Sequence, residues 1–411
     1  MRRIIIVVCC MIISTPLFAG NGSSVYSVFG IGDIRYFPNS RSAGMGYTGI
    51  GLPASNYINN INPASWARTV RVRLEANFLY EGMNSTDAST SLYRANGLFN
   101  GASLAIPIVP SSGIVFSGGF SPLSYVNYQS SSSGSQQGID YTITGKGTGG
   151  LNKAHVGLSV APSQELAFGA SLNYNFGTLE ETRSIVPSST SLGWGQITHN
   201  LKMNGITVTV GGMFTGFGSI SESLTPLSFG FAITSRGVLT TEKRSTYLFL
   251  SEADSSDIAQ GKFSMPISFG FGFAYQAGER YLVAADYFAQ PWSKADLDGA
   301  KLNGVRNNFR IGLGGERLPN KDFGARWLDR FAYRLGFYFN SSYYQVNGEP
   351  INEWGITGGF AVPLTGDTRL NMAIEYASRG TKKSNLVKDN IIRVAMSLNI
   401  SELWFVRYEE E

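Results

Sequence analysis

Residue types able to make or break bonds are sparse in this chain. His155 and His199 are its only histidines, and its two cysteines, Cys9 and Cys10, sit side by side near the start. No G-x-S-x-G stretch offers a serine nucleophile to either imidazole. No Cys/His cluster has the spacing of a zinc site. Gly145-Lys146-Gly147-Thr148-Gly149-Gly150 fits G-x-G-x-x-G by letter, but no helix-forming stretch follows it, so the nucleotide reading fails. Glu252, Asp254 and Asp257 are acidic loop residues of a type that binds calcium. What remains is charge and turn chemistry. Arg71, Arg73, Glu75, Asp286, Arg310, Arg334, Glu353, Arg369, Glu375 and Arg393 each interrupt an otherwise apolar or small-residue run, and such groups need water or an opposite charge. Asn62-Pro63 is a rigid turn, because proline fixes its own φ and asparagine bonds nearby backbone. No enzyme, metal or cofactor is expected.

The elements that hold these charges alternate with a period of two. Leu166, Phe168, Ala170, Leu172, Tyr174 and Phe176 are apolar, and the residues between them are small or polar. The same beat runs through Met265–Tyr275, Phe331–Phe339 and Ile392–Ile400. One greasy face and one wet face describe either a soluble sandwich or a membrane barrel. The runs are long, carry charge on the wet face, and no later stretch is apolar enough for a membrane helix, which favours the barrel. Composition agrees: 43% of 411 residues are apolar, 15% are charged, and 49 are glycine. That balance excludes a disordered chain, and a formal charge of +4 without a basic block excludes nucleic acid as a partner.

Met1-Arg2-Arg3 followed by the apolar run Ile4–Ile13 reads as an export signal cut after Ala19, which removes both cysteines. Strands are expected to begin near Thr69, Gly97, Gly113, Lys153, Glu165, Leu201, Leu227, Ser264, Arg280, Arg306, Phe331, Glu353, Arg369 and Asn390. Fourteen is an even number, as a single-chain bacterial barrel requires. The organisation is then signal peptide 1–19, an N-terminal plug 20–68, an all-β transmembrane antiparallel barrel 69–400, and a periplasmic tail 401–411. The plug is inferred because residues 20–68 do not alternate, and a barrel of this size leaves a lumen too wide for wall side chains to fill. Segments 121–152 and 178–200 read as long external loops.

Asn62-Pro63-Ala64, set late in a glycine-rich N-terminal segment just before the first strand, resembles the Asn-Pro-Ala motif in the hatch of the FadL family. Ser42–Gly51 is similar to the small-residue run before that motif, Pro266–Tyr287 to the mid-barrel hairpin, and Arg369–Gly380 with Ile391–Phe405 to the closing strands. The resemblance implies an outer-membrane transporter in a Gram-negative bacterium, with a hatch-plugged barrel and no cofactor. Its ligands would be long-chain fatty acids or hydrocarbons. It implies a capture pocket, for which Phe29, Ile31, Tyr36, Phe37 and Trp66 are the apolar candidates, with Arg71 and Arg73 placed to meet a carboxylate. It also implies a lateral exit at an inward kink of the third strand, which falls on Gly118-Gly119 because glycine in a strand marks a bend or close approach. Expected partners are outer-membrane lipid and lipopolysaccharide, a hydrophobic small molecule, and the barrel assembly machinery. The alternative is a FadL-like barrel that docks or shuttles a component of protein secretion.

Overall fold

The computed structural model describes residues 24–36, 39–189, 193–250, 252–320, 322 and 324–403. The 1–19 signal, Phe37 and most of the 401–411 tail lie outside the described residues. Fourteen antiparallel strands form a closed ring. They are β1 Val72–Thr86, β2 Ser91–Val109, β3 in two pieces (Ile114–Pro122 and Ser124–Gln136), β4 Ile139–Val160 and β5 Leu166–Pro187. Next come β6 Gly195–Phe214, β7 in two pieces (Leu227–Thr234 and Gly237–Phe249), β8 in two pieces (Ala259–Met265 and Ser268–Ala277), and β9 Tyr281–Gln290. The last are β10 Asn308–Arg317, β11 Ala332–Val346, β12 Glu349–Pro363, β13 Arg369–Gly380 and β14 Lys388–Glu402. The seam closes where β1 pairs with β14, from Val72↔Glu402 to Thr86↔Lys388.

Closure removes the exposed sheet edges that hydrocarbon would not tolerate, and the two-beat pattern then sorts side chains by face. Phe168, Leu172 and Tyr174 on β5, Phe269, Phe271 and Phe273 on β8, and Leu335 and Phe337 on β11 are exposed on the outside. Their inward neighbours Ser171, Asn173 and Arg334 are buried. No described helix is long and apolar enough to cross a membrane; the strands do that work. Met265 departs from its expected outward stripe and is buried, because β8 breaks at Pro266, which cannot donate to the ladder.

The two segments read as loops are instead ladders. Residues Val126–Gln136 of β3 pair with Ile139–Gly149 of β4 around the two-residue turn Gln137-Gly138. The β5–β6 ladder likewise continues to Ile185↔Gly195. We call the end where β1 begins and β14 finishes the near end, and the opposite end the far end. In the far-end sheet successive residues are exposed on both faces, as from Gln129 to Ser133. Period-two contrast disappears there, while backbone pairing across tight turns persists. The far-end link between β1 and β2 is also tight. Amides of Ser89 and Thr90 donate to the Asp87 carboxylate and hold its pKa down to about 2.

Candidate functional site

The described residues between Ser24 and Thr69 bond to strands all round the ring, which places them in the lumen. Their own secondary structure is slight: the 3-10 turns Val25–Val28 and Pro63–Arg68, the pair Asp33–Ile34, and one helical turn, Ser40–Ala43. Backbone therefore lies directly on wall backbone. Gly211, Gly230, Gly272, Gly312, Gly314 and Gly336 face it, and a Cβ at any of these would overlap atoms of residues 45–62 or, at Gly272, Asp286 beside them. The small residues on the inner face of the alternating strands are thus a track for the hatch. Asp286 completes it on β9 by accepting the Gly49 and Ile50 amides at 2.6 and 2.7 Å.

The Asn62-Pro63-Ala64 motif stitches the hatch to the wall near β6. The Asn62 carboxamide oxygen accepts from Ala64 N–H at 3.0 Å, capping the turn that Pro63 opens. Its Nδ2 donates to the carbonyls of Ile50 at 2.8 Å and Gly212 at 3.1 Å. Asn62→Ala removes the cap and strips a donor from two buried carbonyls. It is expected to cost about 2–3 kcal/mol, read as a lower unfolding midpoint in detergent with the strand signal unchanged. Asn62→Asp keeps the cap but turns a buried carboxylate oxygen toward the two carbonyls, so its midpoint should fall at least as far; equal midpoints for all three proteins would remove the stitch.

Above that stitch the lumen is filled by two ion clusters. In the first, Arg393 on β14 donates through Nε to Glu81 at 2.5 Å and through Nη1 to Glu353 at 3.0 Å and to Glu375. Arg379 on β13 joins Glu353 at 2.5 Å to hatch residue Asp33 at 2.8 Å. Hatch residue Arg35 binds Glu81 through both terminal nitrogens, at 3.1 and 3.3 Å. Tyr338 Oη lies 2.6 Å from both Glu353 and Glu375, which share its single proton, and hatch residue Tyr47 donates to Glu375. In the second cluster, hatch residue Arg41 and Arg334 on β11 share Glu316 on β10, at 2.5 and 2.8 Å. Burial alone would favour a neutral Arg41, but Glu316 and Tyr57 together outweigh it and raise its pKa above the ordinary value. These clusters join hatch residues Asp33, Arg35, Arg41 and Tyr47 to side chains on six strands, β1 and β10 to β14, and the pocket left beside Tyr36, Tyr47 and Arg310 is only about 80 Å³.

Among the described residues the wall parts between β2 and β3. β2 and β3 pair from Val109↔Ile114 to Ala102↔Phe120 and no further. Beyond that, β2 keeps only β1, while the second piece of β3 keeps β4. The parting starts at Pro122–Ser124. Facing it on β4 are Gly149 and Gly150, whose φ of +109° and +141° let that strand follow the bend. The kink expected at Gly118-Gly119 is therefore displaced toward the far end. Both glycines sit in unbroken ladders, Gly118 between Leu104 and Val156, Gly119 between Ser103 and His155. Their role is close approach, since a Cβ on Gly119 would crowd the Ser103 hydroxyl and the Ala102 carbonyl.

The hatch closes the parting. Asp33 and Ile34 pair antiparallel with Tyr125 and Ser124, and Arg35 N–H donates to Leu123 O at 2.9 Å. The Arg35 guanidinium lies 5.6 Å from the Tyr125 ring. Asn96 and Arg94 on β2 reach across to Tyr125 Oη at 2.5 Å and Gln129 O at 3.4 Å. A notch of about 330 Å³ remains, lined by Leu98, Phe99, Pro122, Tyr125 and Arg35 among others.

A barrel with a lumenal N-terminal segment and this parting can be set beside known proteins. A family model described as BamG matches residues 1–409. The chain belongs to the BamG family. No curated protein matches. Among solved structures, the Ralstonia pickettii toluene transporter TbuX is 13% identical with a TM-score of 0.59, over 88% of this chain and 98% of that one. The CymD monoaromatic hydrocarbon channel is 13% identical with a TM-score of 0.58, over 91% and 99%. A Pseudomonas aeruginosa FadL homologue is 10% identical with a TM-score of 0.58, over 88% and 97%. At such identities the likeness is one of fold: this BamG-family chain has the outer-membrane barrel of FadL-type transporters, as its hatch motif and strand number led one to expect.

The residues expected to line a capture pocket are dispersed along this barrel. Phe29 and Ile31 pack at the far end with Tyr26, Trp292, Tyr343 and Tyr344. Tyr36 sits mid-lumen, edge-on to Phe288 and 4.7 Å below the Arg310 guanidinium. Trp66 is at the near end, donating to Asn59 O at 2.6 Å and stacked on His155. Arg73 bonds Asn399, the Ser55 carbonyl and Asp367, while Arg71 is half-buried one residue ahead of β1. These side chains form separate parts of the hatch's packing and its rim, and do not share one pocket among the described residues. Sequence reasoning missed Arg35, Asp33 and Tyr125, which meet at the parting. The signal for them lay in Gly30, Gly32 and the Pro122 that ends the first piece of β3. Neither histidine is set up for catalysis. His199 bonds Ser245 at 2.8 Å as an ordinary cross-strand pair, and no described carboxylate bonds its second nitrogen. No described group of three acidic, His or Cys residues is arranged to hold a metal.

Proposed function

We propose that the barrel passes hydrophobic small molecules, long-chain fatty acids or hydrocarbons, across the outer membrane and releases them sideways where β2 and β3 part. The observation that carries this reading is the interrupted ladder above Ala102↔Phe120, closed by only two residue pairs from the hatch. A molecule leaving there would enter lipid without crossing water, and the notch beside Leu98 and Phe99 gives it an apolar sill. A groove of about 570 Å³ on the far-end sheet, lined by Ile143, Ile185, Ile197, Tyr247 and Phe249 among others, suits capture before entry. The named neighbours are described as a toluene transporter and a monoaromatic hydrocarbon channel, which supports the ligand class. In this reading outer-membrane lipid and lipopolysaccharide surround the barrel, and the barrel assembly machinery inserts it.

The test is to bolt the hatch to the wall. Ile34 and Ser124 are opposed in an antiparallel pair, within disulfide reach. The double variant Ile34→Cys, Ser124→Cys is expected to lose about tenfold of its uptake of radiolabelled oleate or toluene when oxidised and to regain it on reduction. Equal uptake in both states overturns the lateral exit. The docking and shuttle reading is favoured by the ion clusters in the lumen, beside which the pocket at Tyr36, Tyr47 and Arg310 measures only about 80 Å³. A barrel of that kind keeps its role when bolted.

A further inference from the structure

We infer that the outer edge of β3, above the parting, takes an extended segment of another polypeptide as an added antiparallel strand. This inference does not rest on small-molecule passage. Gln136 and Ile139 close the two-residue turn of the β3–β4 hairpin, so they and every second pair below them exchange hydrogen bonds across that ladder. The N–H and C=O groups of the alternate residues Gln129, Ser131, Ser133 and Ser135 therefore point away from β4. Two contacts confirm the parity: Asn127 N–H donates outward to Ser27 Oγ at 3.3 Å, and Gln129 C=O accepts outward from Arg94. Nothing among the described residues meets the outward backbone groups of Ser131, Ser133 or Ser135.

The edge already shows what fits it. Asp33–Ile34 is seated on its lowest positions as an antiparallel strand, and the pairing stops because Gly32, with φ of +90°, turns the hatch away. A Cβ on Gly32 would run into the Tyr125 carbonyl and the Val126 side chain, so the turn is built for glycine. An added strand would continue the line that the hatch abandons. Space is available, because Arg94 and Asn96 bridge β2 and β3 by side chains, which holds the main chains further apart than one strand spacing of about 4.8 Å. A row of alternating backbone donors and acceptors is matched only by another backbone. The Ser130–Ser133 run offers no apolar surface to a lipid, and its short side chains leave room for β-branched neighbours.

The experiment uses the full chain in detergent micelles and the peptide Lys-Thr-Val-Thr-Val-Thr-Val-Thr-Lys as probe. Hydrogen exchange of residues 129–136 is expected to slow by about tenfold or more at saturation. The same peptide N-methylated on the alternate amides that would face β3 should give no protection. The variant Ser131→Pro, Ser133→Pro removes two outward N–H groups and leaves the β4 ladder intact, as edge prolines do. It should lose the peptide effect while residues 139–149 keep their own protection, which shows that the hairpin is folded. Exchange that is unchanged by the peptide overturns the inference. So does protection that survives in the proline variant, or an edge already slow before peptide is added, as it would be if a second copy or the chain's own terminus covered it.

Discussion

Arg393→Ala is expected to lower the stability of the detergent-solubilised barrel by about 3–5 kcal/mol and to turn a quiet barrel into a leaky one. The guanidinium stands between Glu81, Glu353 and Glu375, and all four groups are buried. Removing it leaves three carboxylates facing each other with Arg35 and Arg379 as the remaining cations, and an uncompensated buried charge is what makes such deletions severe. The carboxylates can relax only by drawing in water or by protonating, and either loosens Asp33 and Arg35, through which the hatch closes the parting. The measurements are the denaturation midpoint and ion conductance in planar bilayers. Adding Glu375→Gln should recover part of both, since it removes one of the stranded charges. A variant with the wild-type midpoint and no added conductance would show that the cluster fastens nothing.

Gly46→Val is expected to empty the hatch from this part of the lumen while the ring persists. Gly46 holds φ of +61°, a region that a β-branched residue avoids. Its Cβ would be driven onto the carbonyls of Leu313 and Phe337, main-chain atoms of β10 and β11 that cannot swing aside. The Gly46 amide would also lose its bond to Thr357 Oγ1, 2.9 Å long. The ladders of β10 to β12 do not pass through the hatch, so strand content should survive. Large conductance steps and protease cleavage within residues 40–60 are the expected readouts, with Gly46→Ala intermediate. A protected hatch and a silent bilayer would mean that the lumen has slack that the close backbone contacts deny.

The strands were legible wherever a lipid face opposed a lumen face. Ile392, Val394, Met396, Leu398 and Ile400 announce β14 because water and hydrocarbon impose opposite demands on successive residues. The far-end halves of β4, β5 and β6 carry no such contrast, and Ser130–Ser133 therefore read as a loop although it is a paired strand. The lumen charges were largely legible as a class: Arg73, Glu75, Asp286, Arg310, Arg334, Glu353, Glu375 and Arg393 are buried, while Arg71 and Arg369 are half-buried. Their partners were not, since which arginine meets which carboxylate depends on register around a closed ring and on Asp33, Arg35 and Arg41 arriving from the hatch. The parting was half legible. The resemblance implied a kink of the third strand at Gly118-Gly119, but glycine suits both bending and crowding. Gly119 serves the second, while Pro122, with no amide to offer, ends the regular ladder.

The glycine track along β6 to β11 has a consequence for how the molecule is made. Where Gly46 lies on Gly312 and Gly336, no side-chain-sized clearance separates stopper from stave. A finished hoop would have no room to admit its own leading segment end-on. Such close contacts form most readily if the staves close around that segment while it is already in position. A chain that shut the seam between β1 and β14 too soon would be trapped as a hollow cask, so speed of closure is itself something the protein has to restrain.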